Sequence, residues 1–450
     1  MSSIEYRSLS GQSPQTDFRT AVLRGLAPDK SLYFPTEIPK ISADFWKALP
    51  GLSPVEIGLE LMAPLVAGSL ENSALQQILN DTLSFDFPLV AVGEHCYSLE
   101  LFHGPTMAFK DVGARFMAGC LEEFNRGAQK KTTVLVATSG DTGGAVARGF
   151  LGVEGVEVVI LYPRDKVSDI QERQLTTLGK NIKALRVEGD FDACQHMVKE
   201  VFLDPELSAL TLTSANSINV ARWMPQLLYY VLAYRSYLKM YNKSQANSRN
   251  ELPEPVFSVP SGNFGNICAG ILAHKMGLPA AHFVAATNSN DTVPRYLATG
   301  KYVPHKTQPT ISNAMDVSDP SNWVRINELF HGDLEAVREK ISAFRFTDAQ
   351  TRQAMQEVAK ASGYICDPHG AVGFLGLQAA LKAKEITLTA STPGIFLETA
   401  HPIKFRPEVE KTLGINLEIP PQISAVMKGK KEFDSIDTYG QLREFLLTSS

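Results

Sequence analysis

TTVLVATSGDTGGAVARGFLGVEGVEVVILY, residues 132–162, runs through a strand, a turn, a helix and a second strand in order. TTVLVAT (132–138) and VEVVILY (156–162) are short, β-branched runs, and GGAVARGFL (143–151), opened by glycines, has helical character. The pattern continues downstream with a helix over SDIQERQLTTLG (168–179), a strand over NIKALRV (181–187) and a helix over FDACQHMVKEVF (191–202). Strands alternating with helices argue for a parallel sheet covered by helices.

The alternation pauses at VARWMPQLLYYVLAYRSYLKM (220–240), a long helix interrupted by Pro225, and at the polar NKSQANSRNELPEP (242–255), which reads as a linker or surface loop. It resumes with PVFSVP (255–260), a glycine turn, ICAGILAHKMG (267–277) and AHFVAAT (281–287). Helical patterns follow near 348–361 and 371–384, then a strand, GIFLET (394–399). Upstream, SPVEIGLELMAPLVAG (53–68) and SALQQILNDTLSF (73–85) carry apolar residues near the helical period. The expected organisation is an N-terminal helical domain (1–95), a first α/β domain (96–225) and a second α/β domain (226–450).

The composition of the 450 residues is that of an ordinary globular protein, with 44% hydrophobic and 20% charged residues. A formal charge of -5 gives no basic footprint for a nucleic-acid partner. The five cysteines are widely spaced, with no C-x-x-C pair, which fits reduced thiols rather than disulfides or a zinc site. Neither a secretory h-region nor an apolar run of membrane-spanning length is seen, so no membrane partner is expected and the cytoplasm is the expected compartment.

Five stretches carry chemistry. In ELFHGPTMAFKDVGARF (100–116) a turn at Gly104-Pro105 precedes a helix, which puts Lys110 near the helix start. The helix dipole disfavours a cation there, and with desolvation it makes an amine a usable nucleophile. A solvated surface lysine is the plain alternative. SVPSGNFGNICAG (258–270) joins a strand to a helix through glycines, a geometry that suits an anion as well as a simple connection. ATSGDTGGAVA (137–147) does the same with Ser139, Asp141 and Thr142, where Asp141 or Thr142 equally has the chemistry of a helix cap. SANSINVARWMPQ (214–226) places Ser217, Asn219 and Arg222 near a helix start. Arg222 can fork two donors onto a phosphate, or be a surface arginine beside capping residues. His369 in DPHGAVG (367–373), and Thr399, His401 and Lys404 in LETAHPIKF (397–405), complete the set.

FHGPTMAFKD (102–111) closely resembles the cofactor-lysine motif of threonine synthases, pyridoxal-phosphate enzymes of the tryptophan-synthase β-like fold (fold type II). The resemblance extends over most of the chain. FRTAVLRGLAPDKSLYFP (18–35) is similar to the family's N-terminal stretch, though Lys30-Ser31 stands where the family often has paired glycines. The resemblance implies that Lys110 bonds the aldehyde of pyridoxal 5'-phosphate, that Gly262, Asn263, Phe264 and Asn266 hold the cofactor phosphate, and that Thr399 meets the pyridine nitrogen. Ser139, Asp141 and Thr142 belong to a loop that in related enzymes faces the substrate's carboxylate and amine. Asn219, Arg222 and Lys404 are expected at the substrate, with His401 and Lys404 helping to hold its phosphate. The implied reaction is γ-elimination and β-hydration of O-phospho-L-homoserine to L-threonine and phosphate, with Lys110 as base and acid. A phosphohomoserine lyase giving 2-oxobutyrate, a threonine deaminase and a non-catalytic relative are the alternatives. Oligomeric state is not legible in the sequence.

Overall fold

The computed structural model describes residues 3–244, 252–384 and 386–448. The middle of the linker expected over 242–255, residues 245–251, therefore lies outside the described residues. The strands are β1 (Tyr6–Ser8), β2 (Tyr33–Pro35), β3 (Leu89–Gly93), β4 (Cys96–Glu100), β5 (Thr132–Ala137), β6 (Val156–Pro163), β7 (Ile182–Val187), β8 (Thr211–Ser214), β9 (Val256–Pro260), β10 (His282–Thr287), β11 (Ile341–Arg345), β12 (Gly394–Glu398) and β13 (Asp434–Ile436).

Two α/β sheets carry the fold. The smaller has the order β13-β7-β6-β5-β8, all parallel; the larger has the order β11-β10-β9-β12-β4-β3, parallel except for the antiparallel edge strand β3. Every residue of β5, β9, β10 and β12 is buried, as strands covered by helices on both faces require. That is why their sequences read as unbroken apolar runs. The α/β reading holds, with helices within a few residues of their expected bounds, such as Asp169–Thr176 and Pro368–Ala383.

The sheets do not follow the expected boundaries at 95/96 and 225/226. β4 belongs to the larger sheet, where it pairs with β12 some three hundred residues away, from Cys96↔Gly394 to Glu100↔Glu398. β13 returns from the far C-terminal region to extend the smaller sheet beside β7. The N-terminal region is not a separate helical body either. It contains the antiparallel pair β1-β2, and Tyr6, Phe18 and Tyr33 share one core with Phe116 and Trp223. Pro225 splits the long helix into Val220–Trp223, a 3₁₀ turn at Met224–Gln226 and Leu227–Ser244. Its ring lacks the N–H that an uninterrupted helix would use.

Within each α/β sheet the parallel strands point their carboxyl ends the same way, and ligands in open α/β sheets bind beyond those ends. The loop leaving β4 is zipped onto the segment leaving β12. Leu101 N–H donates to the Glu398 carbonyl at 3.0 Å, Phe109 N–H donates to the Thr399 carbonyl at 2.9 Å, and Ala108 bridges Ala400. This pairing sets Lys110 beside Thr399.

Candidate active site

One cleft gathers Lys110, Ser139, Asp141, Thr142, Arg222, Gly262, Asn263, Phe264, Asn266 and Thr399. They come from the ends of β4, β5, β9 and β12 and from the helix start at Val220. Asn219 and Lys404 do not line it. Asn219 caps the helix Val220–Trp223, accepting from Ala221 N–H, and its amide donates to the Val22 carbonyl at 2.8 Å. Lys404 is wholly buried, paired with Asp141 at 2.7 Å and donating to the Thr106 carbonyl at 2.9 Å. His401 is outside the lining as well. Its Nδ1 accepts from Ile403 N–H, its ring packs edge-on against Phe102, and burial lowers its pKa to about 4, so it carries no charge for a phosphate at neutral pH.

Lys110 is the first residue of the helix Lys110–Asn125, with Asp111 next in the first turn. Burial brings its amine down to about 8; Lys404 and Arg222 push the same way, while Asp141 and Asp367 oppose them. Its Nζ lies 4.7 Å from the centroid of the Phe109 ring. Asp111 is engaged by Thr106, accepting from its N–H at 2.9 Å and from its Oγ1–H at 2.5 Å.

The glycine turn after β9 is built by close backbone approach. A Cβ on Gly262 would stand 2.7 Å from Met315 Cα and 3.0 Å from the Ala314 carbonyl. Phe264 takes the left-handed conformation (φ 59°) and opens the helix Gly265–Met276. Asn263 braces the turn, donating to Ser217 Oγ at 2.7 Å and accepting from Ser321 N–H at 2.6 Å; Asn266 donates to the Pro260 carbonyl at 2.8 Å. With these side chains occupied, the contribution of the turn to an anion is its backbone N–H groups at a helix start.

At the turn after β5, Thr138 Oγ1 accepts from the N–H groups of Gly140 and Gly143 at 2.9 and 2.8 Å. Gly140 has a φ of 132°, and a Cβ there would run into the Gln171 amide. Against burial, which alone would raise its pKa, Lys404 and Lys110 hold Asp141 ionised, well below the usual carboxylate range. Arg222 is almost fully buried. It donates through Nη1 to the Ala215 carbonyl, and among the described residues its Nε has no partner. Burial lowers its pKa to about 10, which leaves it cationic at neutral pH.

Three cleft features carried no usable sequence signal. Asn216 clasps Ala137 at the end of β5, donating to its carbonyl at 2.8 Å and accepting from its N–H at 3.2 Å. Ala314 and Met315, from the 3₁₀ turn Asn313–Met315, form a wall with Val317. Gln195 reaches the cleft from the helix Phe191–Val201. His369, singled out in sequence, does line the cleft. Its Nδ1 is bonded to Asp367 at 2.6 Å, and Ala314 N–H donates to Nε2 at 3.2 Å, so it braces that wall.

The five cysteines are all unpaired and buried, and no cluster suited to a metal ion occurs among the described residues. No helix among them is long and apolar enough to cross a membrane.

Comparison with known proteins covers the whole length. Residues 5–83 match the family described as "Threonine synthase N terminus", residues 90–391 match "Pyridoxal-phosphate dependent enzyme", and residues 374–446 match "Threonine synthase, C-terminal". A threonine synthase of Haemophilus influenzae is 44% identical over 437 residues, 97% of each chain. The crystal structure of threonine synthase from Escherichia coli superposes with a TM-score of 0.89 at 38% identity, over 99% of this chain and 100% of that one. A threonine synthase from Brucella melitensis with bound PLP gives 0.89 at 34% identity, over 100% of both chains.

Proposed function

The chain belongs to the pyridoxal-phosphate-dependent threonine synthases, and from that membership we propose that it converts O-phospho-L-homoserine and water into L-threonine and phosphate at the cleft around Lys110. The observation that carries the assignment to this cleft is the convergence of three elements. A desolvated lysine at a helix start, a tight glycine turn leading into a second helix, and a threonine at the end of β12 all line it.

The residues fit the cofactor. Lys110 would bond its aldehyde carbon, the turn Ser261–Asn266 would hold its phosphate, and Thr399 would meet its ring nitrogen. When bound, pyridoxal phosphate supplies an electron sink for the substrate's Cα. Lys110, with an amine near 8, is suited to taking and returning protons at Cα and Cβ near neutral pH. Ser139, Asp141 and Thr142 stand at the start of the helix Asp141–Gly149, where backbone N–H groups suit the substrate's carboxylate. Arg222, whose buried Nε has no partner among the described residues, is the cation for the substrate's phosphate. The five unpaired, buried cysteines support a cytoplasmic location, and the net charge of -5 supports a small-molecule rather than a nucleic-acid partner.

The test is reaction with O-phosphohomoserine in isotopically labelled water. Threonine labelled in its hydroxyl, with one phosphate released per threonine, is expected. Mainly 2-oxobutyrate would assign a lyase, and turnover of threonine alone a deaminase.

Arg222→Lys keeps the charge but loses the planar fork. Losing one charge-assisted bond, about 1.5–3 kcal/mol, should raise KM for the phosphorylated substrate by roughly ten- to a hundredfold. Steady-state kinetics check this; an unchanged KM would remove Arg222 from the substrate phosphate.

A further inference from the structure

Lys404 has no part in the chemistry above, yet it is among the most enclosed charges of the molecule. It sits in the short turn Pro402–Phe405 that follows β12. Its ammonium meets Asp141 at the turn after β5 and the Thr106 carbonyl in the loop that leads to Lys110. One amine thus joins segments from both α/β sheets. The partners are themselves fixed. Gln171 Nε2 donates to Asp141 Oδ1 at 3.0 Å while Gln171 closes the capping box of its own helix. Gln174 Nε2 donates to the Thr106 carbonyl at 3.0 Å, and Thr106 in turn holds Asp111 through its N–H and hydroxyl.

The charges that bear on Lys110 come from four segments. Asp141 is an anion at the start of one helix, Arg222 a cation on the helix Val220–Trp223, Asp367 an acid capping the helix Pro368–Ala383 and bonded to His369, and Lys404 a cation beyond β12. Asp141 acts on Lys110 in the opposite sense to Lys404, and both cations act on Asp141. A buried carboxylate stripped of its partner draws on the nearest remaining cation. Without Lys404, the cation left to Asp141 is Lys110.

We propose that Lys404 is a positioning residue: it neutralises Asp141, so that this carboxylate does not capture Lys110, and it pins the 139–142 turn against the lysine loop. The inference rests on the reading that Lys110 carries the cofactor.

The experiment is a pH titration of the visible absorption of the lysine-bound cofactor in holoenzyme. It compares the unaltered protein, Lys404→Met, and Lys404→Met with Asp141→Asn. Removing the cation that opposes protonation, and freeing the anion that favours it, should move the midpoint of Lys404→Met upward by about one pH unit or more. Removing both charges should return it to the starting value. A purely structural lysine would lower stability in both variants and leave the midpoint in place. An unmoved midpoint in Lys404→Met, or one not restored in the double variant, overturns the proposal. If Lys404→Met alone yields no folded holoenzyme, a double variant that folds with the original midpoint supports the proposal, and failure of both overturns it. Borohydride reduction and peptide mapping of the unaltered protein separate the two readings. A label away from Lys110 overturns the cofactor assignment and the proposal with it, whereas a label on Lys110 with an unmoved midpoint overturns the proposal alone.

Discussion

Lys110→Ala is expected to lower kcat by about four orders of magnitude or more, because the proposed function makes the same amine both the covalent attachment point and the proton carrier. The fold should survive. The amine is a desolvated cation whose surroundings include two others, Lys404 and Arg222, so its removal relieves repulsion as well as losing attraction to Asp141. Cofactor should still associate through the 261–266 turn, but borohydride should no longer fix it to the chain. The checks are steady-state turnover, thermal unfolding, and peptide mapping after reduction. A variant within tenfold of the original kcat would remove Lys110 from the chemistry.

Gly262→Val carries the other large effect, through a route that the sequence did not show. From sequence, a side chain here is expected to block the approach of the cofactor phosphate. In the structure the new Cβ meets backbone first, at Met315 Cα and the Ala314 carbonyl. Backbone atoms cannot rotate away as the end of a side chain can. The opposing segment is also held, by the bond from Ala314 N–H to His369 and by Met315 packed with Ala286, Phe346 and Val372. Either the glycine turn or the 313–315 wall must move, and both line the cleft. Overpacking of this kind costs about 1–3 kcal/mol, which corresponds to a roughly five- to hundredfold weaker cofactor Kd. Equilibrium dialysis measures it, and an unchanged Kd would show that the turn is not where the phosphate sits. Asn263→Ala removes the bonds to Ser217 and Ser321, so its effect should approach that of Gly262→Val.

The parts legible in the sequence were those whose signal is local. β5, β6, β9 and β10 are apolar runs bounded by turns, and the glycine turns that follow β5 and β9 stand in the cleft where a strand-to-helix junction would put ligand groups. β1, β2 and β13 were not legible, because three residues are too short to show a period. Strand pairing is hidden for a related reason. Which strand lies beside β12 is decided by pairing across hundreds of residues, and nothing in CYSLE (96–100) reveals its partner. In sequence, Lys404 shows only its charge and its place near Thr399, the properties of a phosphate donor. Its burial against Asp141 depends on two turns from different sheets meeting, which no single stretch encodes.

The position of β12 in the larger sheet also constrains how the protein can be made. It lies between β4, which emerges from the ribosome early, and β9, and it carries the backbone partners of the Lys110 loop. Until residues 394–400 have been synthesised, the β3-β4 pair has no strand to link it to β9, and the lysine loop has nothing to zip onto. The enzyme should therefore gain cofactor binding in one late step of translation rather than by degrees, and nascent chains halted before β12 should be inert and dependent on chaperones to shield their open strand edges.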